Sequence, residues 1–419
     1  MIRYILQAFV ACTLLAGCAA TQTVETVEAS TATGTSALPD QQVREPITML
    51  ISIDGFRPDY LDRGITPNLS ALAASGIYAD MRSSFPTKTF PNHWTLVTGK
   101  RPDNHGIVGN SMEDVARPGQ RFTMANKDPF WWDLAEPIWI TAEKQGVRTA
   151  TMFWPGSEVE LDGTRPSDWW PFSEALSNDR RVNAVVDWMR RPAATRPQLV
   201  TLYFDTVDTA GHYYGPAPSE KLHAAISAID QNIGSLKEQL TTLGQPVNLV
   251  ITSDHGMAET HPDRVIYLDN ILPRDQYRLV VDGNYAGIEP LSDDMTAINA
   301  AFLKPHDNME CWNKAEIPAR FQYGKNPRVP SIICLPESGW VVYQDKPGWM
   351  TGIGGGHGYD HLHPDMIAFF LASGPGITGN GKIETFDNVD IYSLLTHLAE
   401  IKARESDGDL SPFEQAIRP

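Results

Sequence analysis

The run Ile47-Thr48-Met49-Leu50-Ile51-Ser52-Ile53 is followed at once by Asp54-Gly55. Seven mostly apolar residues without alternation suit a central strand covered on both faces. An acid placed straight after such a strand stands at its carboxyl end, where α/β sheets bind their ligands. The pattern recurs: apolar runs at 148–153, 198–204, 247–253 and 366–372 predict further strands. Between them, 66–75, 184–189 and 221–240 have helical spacing, the last opening after Pro218-Ser219. Strands alternating with helices predict an α/β fold with a central, mostly parallel sheet flanked by helices. Residues from about 277 to 341 break the rhythm with Tyr277-Arg278-Leu279-Val280-Val281 and many Pro, Asn and Lys residues. That stretch reads as a small inserted subdomain with its own sheet.

Three predicted strands lead into a carboxylate: Asp54, Asp208 and Asp254. One Asp at a strand end is usually a cap or turn residue. Here Asp208-Thr209-Ala210-Gly211-His212 and Asp254-His255 add imidazoles, and Gly354-Gly355-Gly356-His357-Gly358 adds a third in a loop open to close backbone approach. Three carboxylates and three imidazoles suit Zn²⁺ better than Mg²⁺ or Ca²⁺, which prefer oxygen alone. Six ligands exceed what one catalytic zinc takes while keeping an open position, so they suit two. His361 and His363 compete with His357 for the last place; the glycine setting favours His357.

The chain has 419 residues, 42% of them hydrophobic, and a formal net charge of -17. That composition supports a substantial core and disfavours attraction to nucleic-acid polymers. An anionic substrate then needs a local source of positive charge, such as bound metal. Residues 1–17 have the grammar of a signal peptide, with Arg3 and then a short apolar stretch ending in Leu15-Ala16-Gly17-Cys18. The ending resembles a bacterial lipobox, which implies a lipid anchor on Cys18; an ordinary signal peptide with Cys18 incidental is the other reading. Residues 18–45 read as a Thr/Ser/Ala-rich flexible tether and 46–419 as the catalytic domain. The expected location is the periplasmic side of a bacterial membrane, the outer membrane before the inner, or the secreted fraction. Cys311 and Cys334 read as one disulfide in an exported protein, against two buried free thiols.

The stretch Phe85-Pro86-Thr87-Lys88-Thr89-Phe90-Pro91-Asn92-His93 brings a family into view. From Ser52-Ile53-Asp54-Gly55-Phe56-Arg57 to Gly356-His357-Gly358-Tyr359-Asp360 the chain resembles the nucleotide pyrophosphatase/phosphodiesterase family of the alkaline phosphatase superfamily, as a bacterial member. The most specific segment is TKTFPNHWTLVTGKRPDNHGIVGNSMED, with EPIWITAEKQG, FWPGSEVE and DTAGHYYGP beside it. The resemblance implies an alkaline phosphatase-like fold and a Thr89 nucleophile. It implies one zinc on Asp54, Asp254, His255 and Thr89 and another on Asp208, His212 and His357. Asn110 matches an amide donor to a nonbridging phosphate oxygen. Phe90 matches an aromatic that stacks on the base, opposite Phe172, where relatives usually carry Tyr.

The implied reaction is zinc-dependent hydrolysis of phosphodiester or phosphoanhydride bonds in nucleotides, releasing nucleoside 5′-monophosphates through a phospho-threonine. A lipid- or glycerol-type phosphodiesterase with the same metal core, and an inactive binding protein that keeps the fold, are the alternatives. Thr89 followed by Phe-Pro speaks against a sulfatase. The plainer readings put Phe90 in the core, His93 in a structural hydrogen bond, and Trp131-Trp132 and Trp169-Trp170 in packing.

Overall fold

The computed structural model describes residues 44–345 and 352–419. The signal peptide, Cys18 and nearly all of the tether lie outside the described residues. Along the described chain run β1 (Ile47–Ile53), α1 (Pro67–Ser75), β2 (Ile77–Arg82), α2 (Thr89–Thr98), β3 (Thr149–Met152) and β4 (Asp168–Trp170). They are followed by α3 (Asn178–Met189), β5 (Leu199–Phe204), α4 (Thr206–Tyr214), α5 (Glu220–Thr242) and β6 (Val247–Thr252). After a long excursion come β7 (Ala368–Ser373), β8 (Gly381–Lys382), β9 (Phe386–Asp387) and α6 (Asp390–Leu398).

The strands form one sheet in the order β8-β2-β7-β6-β1-β5-β3-β4, with β9 also paired to β2. From β6 to β4 every neighbour is parallel. β7 runs antiparallel to both β6 and β2, so the sheet is mixed with a parallel majority. All seven β1 residues are buried. Met49, Ile51 and Ile53 pack under α1, α3 and α5, while Leu50 packs with α2 and α6 on the opposite face. That two-sided burial is why the run shows no alternation.

α5 explains itself locally. Ser219 caps it by accepting from the Leu222 N–H at 3.3 Å. Leu222, Ile226, Ile229, Ile233, Leu236 and Leu240 fall at helical spacing and are all buried. Each such side chain contributes about 2 kcal/mol, so Ile229→Ala would be strongly destabilising. α3 begins six residues before its predicted start because Arg181 is buried yet satisfied, donating to Asp205 Oδ1 at 2.7 Å and to the Tyr203 carbonyl at 3.1 Å.

Residues 277–336 carry an antiparallel four-stranded sheet in the order Tyr277–Val281, Ala286–Pro290, Ile332–Pro336, Met309–Asn313. Cys311 and Cys334 face each other across two of these strands and are disulfide-bonded. No helix of the described residues is long and apolar enough to cross a membrane.

Candidate metal centre

The carboxyl ends of β1, β5 and β6 lie side by side in the sheet, and that adjacency gathers the acids. Asp54 directly follows β1 and Asp254 follows β6. Asp208 sits in the first turn of α4 with His212 one turn on. Gly55 has φ +66, and a Cβ there would lie 3.1 Å from Asp208, so the chain turns away from β1 against the second acid. His357 arrives on the short strand Gly354–Gly356, which pairs with Ala258–Thr260. A Cβ on Gly355 would stand 2.3 Å from the Gly211 carbonyl, so glycine there is what lets this strand reach α4.

Each of the three imidazoles is oriented in the same way. Nδ1 of His212, His255 and His357 donates to the carbonyls of Gly355, Gly256 and Thr87 at 2.9, 2.9 and 2.8 Å. With Nδ1 carrying the hydrogen, Nε2 is left as the lone-pair nitrogen, the usual preparation of a metal-ligating histidine. The Nε2 atoms of His212 and His357 approach to 3.2 Å. His212 Nε2 lies 3.4 Å from Asp208 Oδ2, and His255 Nε2 lies 3.4 Å from Asp54 Oδ1 and 2.9 Å from Asp254 Oδ2.

Among the described residues, Asp54 Oδ1, Asp208 Oδ1 and Asp254 Oδ2 are buried without a hydrogen-bond donor. An unpaired buried carboxylate oxygen is costly. Three of them converging with three Nε2 lone pairs fit divalent cations and little else. Three groupings have ligand atoms within 4.8 Å of one another: Asp208-His212-His357, Asp54-Asp208-His255 and Asp54-His93-Asp254. His93 is a poor ligand, since its Nδ1 donates to the Thr89 carbonyl at 2.8 Å and its Nε2 is bound to Ser52 Oγ at 2.8 Å.

The electrostatics have the same origin. Burial, then Asp254 and Asp208, push Asp54 well above the carboxylate range, and burial raises Asp208. Burial also acts on Asp254, but His255 and His93 outweigh it and hold that carboxyl well below the range. Burial lowers His255, yet Asp254 and Asp208 carry it upward overall, whereas burial, His255 and Lys88 depress His357. Asp54, Asp208 and His255 therefore favour taking up positive charge, while Asp254 stays ionised and His357 stays neutral.

Thr89 opens α2, with Oγ1 3.5 Å from His255 Nε2. A helix N-terminus favours an anion at this point. Asn110 Oδ1 accepts the Phe90 N–H at 2.9 Å, and among the described residues its Nδ2 has no partner. Lys88, the cation beside Thr89, donates to Asn284 Oδ1 at 3.0 Å and to the His357 carbonyl. Burial pushes its amine down to about 8.

Phe90 is half-buried, its ring 6.1 Å from Phe122 and 6.0 Å from Trp132. Phe172 is 46% exposed and packs 6.2 Å from Tyr203, whose hydroxyl donates to Asp54 Oδ2 at 2.6 Å. The structure brings His357 to the cluster, while His363 caps a turn by accepting from the Asp365 N–H and His361 packs on Phe321. His105 is bound to Thr95 and to the Pro91 carbonyl, and Trp131 and Trp132 are core residues. Sequence reasoning missed Tyr203 and Asn284; both are ordinary residue types, one inside an apolar strand and one in a loop.

Residues 48–360 match the family described as type I phosphodiesterase / nucleotide pyrophosphatase. The chain is 37% identical over 369 residues to the bis(5′-adenosyl)-triphosphatase enpp4 of Xenopus laevis, covering 87% of this chain and 80% of that one. It is 35% identical over 385 residues to human ectonucleotide pyrophosphatase/phosphodiesterase family member 5, covering 90% and 79%. The solved structure of the murine member 5, an inactive threonine-to-alanine variant in complex with AMP, superposes with a TM-score of 0.84 at 34% identity. That match covers 89% of this chain and all of the murine one.

Proposed function

The chain belongs to the type I phosphodiesterase / nucleotide pyrophosphatase family, and from that premise we propose that it hydrolyses nucleotide phosphodiester and phosphoanhydride bonds with two Zn²⁺ ions and a Thr89 nucleophile, releasing nucleoside 5′-monophosphates. The observation that carries the reading is the convergence of three donorless carboxylate oxygens and three Nε2 lone pairs beside the Thr89 hydroxyl. Asp54, Asp254 and His255 would hold one ion with Thr89, and Asp208, His212 and His357 the other. When bound, zinc supplies Lewis-acid charge that makes an alcohol ionisable near neutral pH and offsets the charge of a phosphate.

The chain's own residues do the rest. Thr89 Oγ bonds to phosphorus as the bond from phosphorus to the leaving oxygen breaks, the electron pair leaving with that oxygen and the hydroxyl proton passing to solvent. Water then attacks the phospho-threonine, releasing the nucleoside monophosphate and restoring the Thr89 hydroxyl. Asn110, its Oδ1 held by the Phe90 N–H, is left to donate through Nδ2 to a nonbridging oxygen. Phe90 and Phe172 offer aromatic faces to the base, which stacking accepts with little base selectivity. The Xenopus relative's name and the AMP bound to the murine one support a nucleotide substrate. The murine variant's loss of activity supports an essential threonine. Delivery to the periplasmic side of a membrane through a lipid on Cys18 completes the proposal.

A substrate panel tests it. Zinc-loaded protein should convert diadenosine triphosphate to AMP and ADP faster than it cleaves glycerol- or choline-type diesters. The opposite order would assign the metal core to lipid-type diesters, and no turnover of any diester would sink the enzyme reading.

A further inference from the structure

The two triads of the proposed zinc centre are not equivalent. Asp54, Asp254 and His255 bring two carboxylates and one imidazole; Asp208, His212 and His357 bring one carboxylate and two. A dication is drawn more strongly to the first set by Coulomb attraction. Exposure works in the same direction. The side chains of Asp54, Asp254 and His255 are at most 1% exposed, whereas His212 is 40% exposed and Asp208 16%. Water screens the second set and gives an ion there a way out.

The supporting donors follow the same division. Asp54 Oδ2 accepts the Tyr203 hydroxyl at 2.6 Å, and Asp254 Oδ1 accepts the Gly55 N–H at 3.2 Å. Each bond fixes one oxygen and leaves the other aimed into the cluster. Asp208 has no donor among the described residues. Tyr203 is itself held, its ring 5.1 Å from His93 and 6.2 Å from Phe172 in edge-on contacts, so its hydroxyl has little freedom to leave Asp54.

We propose that the two positions hold Zn²⁺ unequally: the Asp54-Asp254-His255 position retains its ion, the Asp208-His212-His357 position exchanges it with the surroundings, and Tyr203 is the positioning residue that makes the first one retentive. The proposal rests on the two-zinc reading above. Its consequence is regulatory. A protein with one ion keeps Thr89 and its neighbours in place but lacks half of the centre, so turnover follows free zinc outside the cell membrane.

The experiment is a titration of the zinc-loaded protein with a chelator series of defined free Zn²⁺, counting retained zinc by elemental analysis. Two steps are expected, one equivalent leaving at a free Zn²⁺ at least tenfold higher than the other. His212→Ala should bind one equivalent only, retained to the same low free Zn²⁺ as the tighter step of the unaltered protein. Tyr203→Phe keeps the ring and should move the tighter step by ten- to a hundredfold, leaving the looser step where it was. Release of both ions in one step overturns the inequality while leaving the two-zinc reading intact. A tighter step unmoved by Tyr203→Phe overturns the role of Tyr203. Absence of zinc binding altogether removes the functional reading and this proposal together.

Discussion

Replacing Phe172 by alanine should lower kcat/KM for nucleotide substrates by roughly 5- to 150-fold and leave a small methyl aryl phosphodiester nearly untouched. The ring is 46% exposed, so about half of its surface is available to a ligand. Its buried side rests 5.6 Å from Phe153 and 6.2 Å from Tyr203, one residue removed from Asp54. An aromatic face that stacks on a base is worth about 1–3 kcal/mol, which is the range of rate loss given above. Because only half the ring is buried, its removal should cost the fold only about 1 kcal/mol. The loss therefore has to appear in the substrate that carries a base. The assay compares an aryl ester of a nucleoside 5′-monophosphate with the methyl aryl diester at matched zinc. Phe90→Ala is the companion measurement. That ring packs on Phe122 and Trp132; the alanine variant keeps the backbone N–H that holds Asn110 but loses the packing that positions it, so both substrates should suffer, the nucleotide more than the methyl aryl diester. Equal losses on both substrates for Phe172→Ala would show that the ring acts by packing and would refute the stacking argument.

Thr89→Ala should remove diesterase activity by about a thousandfold or more with little change in thermal stability, and Thr89→Ser should keep measurable turnover; near-normal turnover of the alanine variant would point to direct attack by water. Diesters should be preferred over monoesters in kcat/KM, because Lys88 is committed to Asn284 and the His357 carbonyl rather than to the substrate; a competition assay won by the monoester would reverse this. Burial raises the Asp390 carboxyl to about 6, so the folded state prefers it protonated. The associated stability is present below the unfolded value near 4 and is lost as pH rises through 6. Asp390→Asn should therefore stabilise the protein at pH 7 by about 1 kcal/mol, a gain that fades in denaturant titrations near pH 4. Cys18→Ser should release the protein from the membrane fraction, and unchanged association would require another anchor.

The parts of the fold legible in the sequence are those where burial leaves a mark on residue type. Five strands of the main sheet were marked by apolar runs, and α5 by its spacing of Leu and Ile. The direction of β7 was not legible, since an apolar run has no polarity and only the connections decide it. β4 is a three-residue edge strand with half-exposed tryptophans, too short to show a period. α2 escaped notice because Pro91 and β-branched residues disguise it. The structure places that proline in the first turn, where its missing N–H costs nothing.

The site divides along a similar line. Asp54, Asp208, His212, Asp254, His255 and His357 could be picked out because carboxylates and imidazoles clustered at strand ends are chemically unusual. Their supports could not. Tyr203 belongs to an apolar strand and differs from its neighbours by one hydroxyl, yet that hydroxyl selects which oxygen of Asp54 faces the cluster. Lys88 resembles a substrate-binding cation when read beside Thr89. Its actual partners, Asn284 and the His357 carbonyl, lie nearly two hundred or more residues away in sequence. Asn284 in turn donates to the Tyr359 hydroxyl, so the inserted stretch braces the loop that presents His357. Ligand identity is a property of residue type, but ligand orientation depends on distant contacts. In the proposed reaction the phosphate would meet no free side-chain cation from Lys88, and in a chain of net charge -17 its attraction would fall to the metal ions, the Asn110 amide and the start of α2.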